Sequence, residues 1–217
     1  MDILLKYFSH FTDKQIGQFK ALNNLYKNWN EKINVISRND IDSLYERHVL
    51  HSLSIAKAFS FPAGTEIIDI GTGGGFPGVP LAIFFPDVKF HLVDSIGKKL
   101  KIIEAIKEET GLKNITVKHT RAENIEGRKF NFVVSRAVAP LKDLWRWSKP
   151  LLKNAEFKVQ SSQGESLLHP GLICLKGGDL TAEILESGLL PKIVEISKFF
   201  DEEFFLKKYL LYASSSN

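Results

Sequence analysis

The sequence predicts an α/β fold: a mostly parallel sheet with helices on both faces, closed by an antiparallel hairpin strand. Three observations carry that expectation. From Glu66 onward, short apolar strands alternate with helices, the pattern of a parallel sheet covered on both sides. A glycine-rich turn follows the first of these strands directly. Upstream, apolar residues recur at intervals of three and four, the period of amphipathic helices. The chain divides accordingly into an N-terminal helical extension, 1–60, and a sheet domain, 61–217, within one compact unit.

Residues 12–33 read as the first amphipathic helix. Thr12 is its N-cap and Gln15 completes a capping box, while Ile16, Phe19, Leu22, Tyr26, Trp29 and Ile33 share one face. Asn39 or Asp40 caps a second helix running to Phe59, with Ile41, Leu44, Tyr45, Val49, Leu53 and Ala56 inward and Phe61-Pro-Ala-Gly64 ending it. Strands follow at Glu66–Ile70, Lys89–Val93, Ile115–Lys118, Phe130–Ser135 and Leu172–Leu175. Helices fall between them at Gly78–Phe85, Lys98–Thr110, with Gly111 as C-cap, and Leu141–Leu151. The polar stretch Asn154–Pro170 reads as a long loop. A short helix, Thr181–Ser187, precedes two strands, Pro191–Lys198 and Phe204–Tyr212, joined by a tight acidic turn at Asp201-Glu-Glu203.

Composition narrows the class. With 217 residues and 44% apolar content, the chain can bury a core without disulfides or structural metal. A single cysteine, Cys174, excludes a disulfide framework and a cysteine-ligated zinc site. No stretch reaches the roughly 18–20 apolar residues of a membrane span. The N-terminus has no signal-peptide pattern, which points to a cytosolic protein. From Asp179 onward there are four Lys/Arg against seven Asp/Glu, so the preceding body carries 25 bases against 18 acids. A basic body fits contact with a polyanion such as nucleic acid, although ordinary surface lysine would look the same.

The strongest signal is Asp69-Ile-Gly71-Thr-Gly73-Gly-Gly75-Phe-Pro-Gly78, between a strand and a helix. Glycine permits the sharp turn and lets a ligand lie against backbone, and the helix N-terminus turns amides toward that ligand. Asp94, at the end of the next strand, is placed to accept hydrogen bonds from a ribose diol. Two cofactors use such a loop. Gly73, Gly75 and Gly78 match the dinucleotide fingerprint, but Pro77 removes an amide donor from the turn that would hold a pyrophosphate. The register led by Asp69, with Gly71, Gly73 and Gly75, is that of S-adenosylmethionine (SAM) methyltransferases, in which the acid faces the sulfonium and amino-acid end. A purely structural turn is the third reading. Arg121-Ala122-Glu123 then follows the third strand, on the adenine side, and Ser135-Arg136-Ala137 comes at the end of the fourth, on the methyl side. No Pro-Pro-Tyr tetrapeptide stands there, which speaks against methylation of an exocyclic amine. Cys174 lies inside an apolar strand and reads as packing rather than as a nucleophile.

The loop through Leu81, with Val93-Asp-Ser-Ile-Gly-Lys98, Arg121-Ala-Glu123, Ser135-Arg-Ala137 and Leu175-Lys-Gly-Gly178, resembles the RsmG (GidB) family of bacterial 16S ribosomal RNA guanine-N7 methyltransferases. Trp29-Asn-Glu-Lys-Ile-Asn-Val35 and Arg47-His48 extend the likeness, which covers about residues 22–150 and 172–178. The resemblance implies a Rossmann-like, seven-stranded SAM-dependent methyltransferase sheet behind a small helical cap. It implies SAM contacts at Gly71, Gly73, Phe76, Asp94, Ala122, Glu123 and Arg136, beside Asp69. It also implies 16S rRNA or the small ribosomal subunit as partner. No metal and no membrane enter this picture, and a monomer suffices. Lys207 and Lys208 stand where the family pattern leads us to expect an arginine.

Guanine N7 has a free lone pair and no proton to lose, so in-line attack on a methyl needs placement more than a general base. Arg136 is the residue expected near the methyl or the target phosphate, or else in a buried ion pair with Asp69 or Glu123. Arg47, His48, Lys98, Arg121, Arg136 and Lys176 are the RNA-binding candidates, with Arg146 behind them. His48 also fits a helix cap or core-edge histidine, and Lys98 an ordinary surface lysine. Trp145 and Trp147, two apart on a helix, read as one core and one surface residue. An enzyme acting on another RNA or a small molecule, and a non-catalytic assembly factor keeping the fold, remain open.

Overall fold

The computed structural model describes residues 1–37, 40–154, 157–161 and 164–214. In chain order its helices and strands are α1 (Asp2–Tyr7), α2 (Asp13–Asn30), α3 (His51–Ala58), β1 (Glu66–Ile70), α4 (Gly78–Phe84), β2 (Lys89–Asp94), α5 (Gly97–Thr110), β3 (Ile115–His119), β4 (Phe132–Arg136), α6 (Leu141–Ser148), β5 (Phe157–Ser161), β6 (Gly164–Leu168), β7 (Gly171–Gly177), α7 (Thr181–Ser187), β8 (Lys192–Glu195) and β9 (Lys208–Ser214). Seven strands form one sheet in the order β3-β2-β1-β4-β7-β9-β8. The pairs β1–β2, β2–β3, β1–β4 and β4–β7 are parallel, and β9 runs antiparallel between β7 and β8. The α/β sheet with a closing antiparallel strand is therefore present.

Period-2 alternation serves both faces, because both are covered. Ile67, Phe90, Leu92, Phe132, Val134, Ile173 and Leu175 meet the core beneath the N-terminal helices, α4 and α5. Ile68, Ile70, Val93, Val133, Leu172 and Cys174 pack with α6 on the other face. The ligand crevice follows from strand order: β1 and β4 are neighbours whose chains leave toward opposite faces, which opens the carboxyl ends of the strands.

Thr12 caps α2 as the sequence predicts. Its hydroxyl accepts the Gln15 amide at 3.3 Å, while the Gln15 side chain accepts the Thr12 amide at 3.0 Å. The helix stops at Asn30, three residues early, because the Asn30 side-chain oxygen accepts the amides of Val35 and Ile36, each at 3.0 Å, and turns the chain. The predicted helix 39–59 is three pieces: a 3₁₀ turn Ile41–Ser43, a π-helical stretch Leu44–Leu50, and α3. Asp40 provides no side-chain cap. Its carboxylate instead takes the Ser37 hydroxyl at 2.7 Å and Arg47 Nη1 at 2.6 Å. Asn39 lies outside the described residues.

Two further expectations are corrected. The stretch Asn154–Pro170 contains an antiparallel hairpin, β5–β6, rather than loop alone. The last two strands are not joined by a tight acidic turn. The chain between β8 and β9 makes 3₁₀ turns at Ile196–Lys198 and Glu203–Phe205, because Ile196, Phe200 and Phe205 drop into the core. The Glu202 carboxylate is tied to α1 by the Tyr7 hydroxyl at 2.8 Å and Lys6 at 3.0 Å.

Candidate active site

The loop after β1 is built around Asp69. Fully buried, its Oδ2 accepts the Thr72 hydroxyl at 2.6 Å and the Gly78 amide at 2.8 Å, joining the start of the loop to the start of α4. A β-carbon at Gly78 would stand 2.8 Å from that oxygen, so glycine is required. Gly71 is required twice: its φ is +66°, and a β-carbon would meet Val138 at 2.6 Å. Burial pushes the Asp69 carboxyl up to about 7. Asp94 spans the next strand end. One oxygen accepts the Gly73 amide and the other the Ile96 amide, both at 2.8 Å. Tyr26, buried on α2, braces the loop from outside by donating to the Gly74 carbonyl at 2.6 Å. Its ring stacks on Phe76 with centroids 4.9 Å apart.

These elements enclose a cavity of about 500 Å³, within the usual size of a small-ligand site. Gly71, Gly73, Phe76, Asp94, Ala122, Glu123 and Arg136 line it, as does Arg121. Asp69 does not line it; its bonds hold the loop from beneath. Lys98 is exposed and outside the cavity, whereas Lys99, one residue along α5, lines it. Trp147 also lines it, and its indole N–H is buried without a partner among the described residues. Neither tryptophan of α6 is a surface residue: Trp145 and Trp147 are both partly buried. Arg146, exposed, pairs with Asp143 at 3.0 Å.

A second cavity, about 640 Å³, lies across one wall. Arg136, Ala137 and Val138 belong to both. Arg47, His48, His51, Lys176, Phe204 and Lys208 complete much of the second. Ala137 holds φ +52° without being glycine, a conformation that concentrates at functional turns. Here it re-aims the chain just after Arg136. The guanidinium donates to the Arg47 carbonyl at 3.2 Å and to His48 Nδ1 at 2.9 Å, and lies 4.9 Å from the centre of the Phe76 ring. Among the described residues it makes no ion pair, so the alternative of a salt bridge to Asp69 or Glu123 is not realised. Burial lowers Arg136 to about 10, which leaves it cationic at neutral pH.

The remaining candidates divide. Arg47 pairs with Asp40 and lies 5.6 Å from the Phe204 ring, near which Lys208 also stands, at 5.1 Å. Lys176 is committed: its ammonium meets Glu183 at 2.6 Å and the Ala139 carbonyl at 2.5 Å. Lys207 is exposed with φ +57° and lies outside both cavities. Cys174 is fully buried, with its thiol pushed up by burial to about 12, so packing is its role. Among the described residues no group of His, Cys, Asp and Glu could hold a metal ion, and no helix is long and apolar enough to cross a membrane. Val138, Lys99, His51 and Phe204 were not singled out from sequence, and Trp147 was read there only as a core or surface residue of its helix. Single residues at turns and strand ends carry no periodic signal.

Comparison with known proteins agrees with this fold. A solved SAM-dependent methyltransferase from Aquifex aeolicus superposes with a TM-score of 0.54 over 79% of this chain and 92% of its own, at 16% identity, which establishes the likeness of fold. The protein named ribosomal RNA small subunit methyltransferase G from Bacteroides thetaiotaomicron is 53% identical over 98% of this chain and 99% of its own length. Its namesake from Cytophaga hutchinsonii is 50% identical over 98% of each. The family model for rRNA small subunit methyltransferase G matches residues 15–166, and with whole-length identity at this level the chain belongs to the GidB family.

Proposed function

We propose that this chain transfers the methyl group of S-adenosylmethionine to N7 of one guanine in 16S ribosomal RNA. The observation that carries the reading is the wall formed by Arg136, Ala137 and Val138, shared by a glycine-lined cavity and a second, cation-bordered one. Methyl transfer needs such a pair, one side for the donor and one for the acceptor.

The first cavity fits the cofactor. Gly71–Gly74 offer close backbone, Asp94 and Glu123 offer carboxylates, and the Trp147 N–H has no acceptor among the described residues. Bound there, SAM would supply an electrophilic methyl on a sulfonium. The protein's part is placement. Asp69, Thr72 and Tyr26 fix the loop, and Arg136 stands at the boundary with cationic charge. Guanine N7 needs no base, and His48 beside Arg136 is a poor one: burial and the neighbouring Arg136 charge lower it to about 3, and its Nδ1 is engaged. For an incoming base, the Arg47, Phe204 and Lys208 grouping provides cations beside an aromatic face, the chemistry that receives unstacked RNA.

The test is radiolabelled methyl transfer from SAM to unmodified 16S rRNA, offered naked and as assembled small subunits, followed by chemical cleavage at N7-methylguanine. Cleavage at one position is expected. Label without N7 cleavage overturns the atom. No label despite SAM binding favours another substrate or an assembly factor.

A further inference from the structure

Arg136 occupies the boundary between the two cavities, yet no carboxylate among the described residues fixes it. Its orientation rests on two neutral acceptors, the Arg47 carbonyl at 3.2 Å and His48 Nδ1 at 2.9 Å, and on the Phe76 face. A guanidinium only donates. The contact with His48 therefore requires a bare Nδ1, with the ring proton on Nε2. The ring's surroundings agree: Nε2 is buried with no partner among the described residues, and desolvation together with the Arg136 and Arg47 charges opposes a second proton. The backbone supports the same arrangement. Both acceptors come from one π-helical stretch, Leu44–Leu50, a local departure from α geometry often found at functional sites. Through it, adjacent residues present a carbonyl and an imidazole to one guanidinium.

We infer that His48 is a positioning residue: its neutral Nδ1 holds Arg136 at the wall between the cofactor and acceptor cavities, leaving the remaining guanidinium donors and the whole charge for the substrate. The sequence suggests direct RNA contact for His48, which lines the second cavity; the inferred role is that it acts on the substrate through Arg136. A neutral partner has a specific advantage here. A carboxylate would fix the guanidinium as firmly but cancel its charge, whereas histidine orients without neutralising. With guanine in the second cavity, the free donors suit the O6 acceptor beside N7, and N7 itself stays open to the methyl. This inference rests on the methyltransferase reading.

Two isosteric substitutions separate the roles. His48→Asn keeps a side-chain oxygen near the position of Nδ1, and His48→Gln keeps a polar atom near Nε2. Both lose the ring equally, so a packing role for the imidazole cancels between them. SAM affinity, kcat and KM for unmodified small subunits are measured for each. His48→Asn is expected to stay within about threefold of wild type in kcat, and His48→Gln to fall by about tenfold or more, the scale of a small misplacement at a reacting centre. SAM affinity should change by less than about threefold in both, since His48 lines only the second cavity. In the double variant His48→Gln/Arg136→Ala, turnover should match Arg136→Ala alone, because the two residues act as one unit. Equal impairment of the Asn and Gln variants, wild-type rates in both, or additive losses in the double variant would overturn the positioning role. Wild-type enzyme that fails to methylate N7 would overturn the methyltransferase reading itself, and this inference with it.

Discussion

Asp69→Asn separates the loop-building role of Asp69 from any direct role in ligand binding. In the folded chain Oδ2 accepts two hydrogen bonds, Oδ1 is buried without a partner among the described residues, and the carboxyl is raised to about 7 from 3.8. A raised carboxyl costs stability as pH climbs. Below 3.8 both folded and unfolded chains hold the proton. Between 3.8 and about 7 the folded chain keeps a proton that the unfolded chain has lost, so stability falls with rising pH. Above about 7 both are ionised and the whole cost stands. The gap corresponds to about 4 kcal/mol in all, of which about 3 kcal/mol falls between pH 5 and pH 8. Asparagine presents one oxygen to the same Thr72 and Gly78 donors and never ionises. Urea unfolding of wild type and Asp69→Asn at pH 5 and pH 8, at equal ionic strength and without cofactor, measures the difference directly. Other titrating groups cancel between the two proteins. From pH 5 to pH 8, wild type should lose about 3 kcal/mol relative to the variant. Parallel pH dependences would refute the argument and mean that water or another donor reaches Oδ1.

The loop should weaken from its other side as well. Tyr26→Phe keeps the stack on Phe76 but removes the only hydroxyl bonded to the Gly74 carbonyl among the described residues. Unfolding experiments should show a loss of about 1–3 kcal/mol, and calorimetry a weaker SAM affinity. Cys174→Ser, by contrast, should leave methyl transfer within about threefold of wild type, because a thiol buried in β7 and raised to about 12 attacks nothing. Its cost should appear only as lower thermal stability, and loss of turnover with the fold intact would reinstate a covalent step.

Local patterns made much of this molecule legible in advance. The run Glu-Ile-Ile-Asp-Ile is β1 with the predicted bounds, and Thr12 with Gln15 forms the predicted capping box. The glycine loop could be read because its glycines answer steric needs of the backbone itself, as Gly71 does against Val138. Features that depend on distant partners stayed hidden. The six residues of α1 are too few for a periodic signal. Asp40 reads as a helix cap, but Ser37 and Arg47 claim its carboxylate. Lys176 looked like a free cation, but Glu183 on α7 pairs with it. Asp69 was expected to face the cofactor, since sequence does not reveal that Thr72 and Gly78 draw its carboxylate beneath the loop. Asp201-Glu-Glu203 reads as a tight turn between two long strands because nothing local shows that the flanking Phe200 and Phe205 are taken by the core.

The account's central claim is that one wall divides donor from acceptor. A crystal structure with S-adenosylhomocysteine tests it most directly. The claim predicts the ligand's ribose beside Asp94 and its sulfur at the Arg136–Val138 wall, opening toward the cavity bordered by Arg47 and Phe204. A sulfur pointing away from that cavity, or the ligand seated in the second cavity itself, would contradict it.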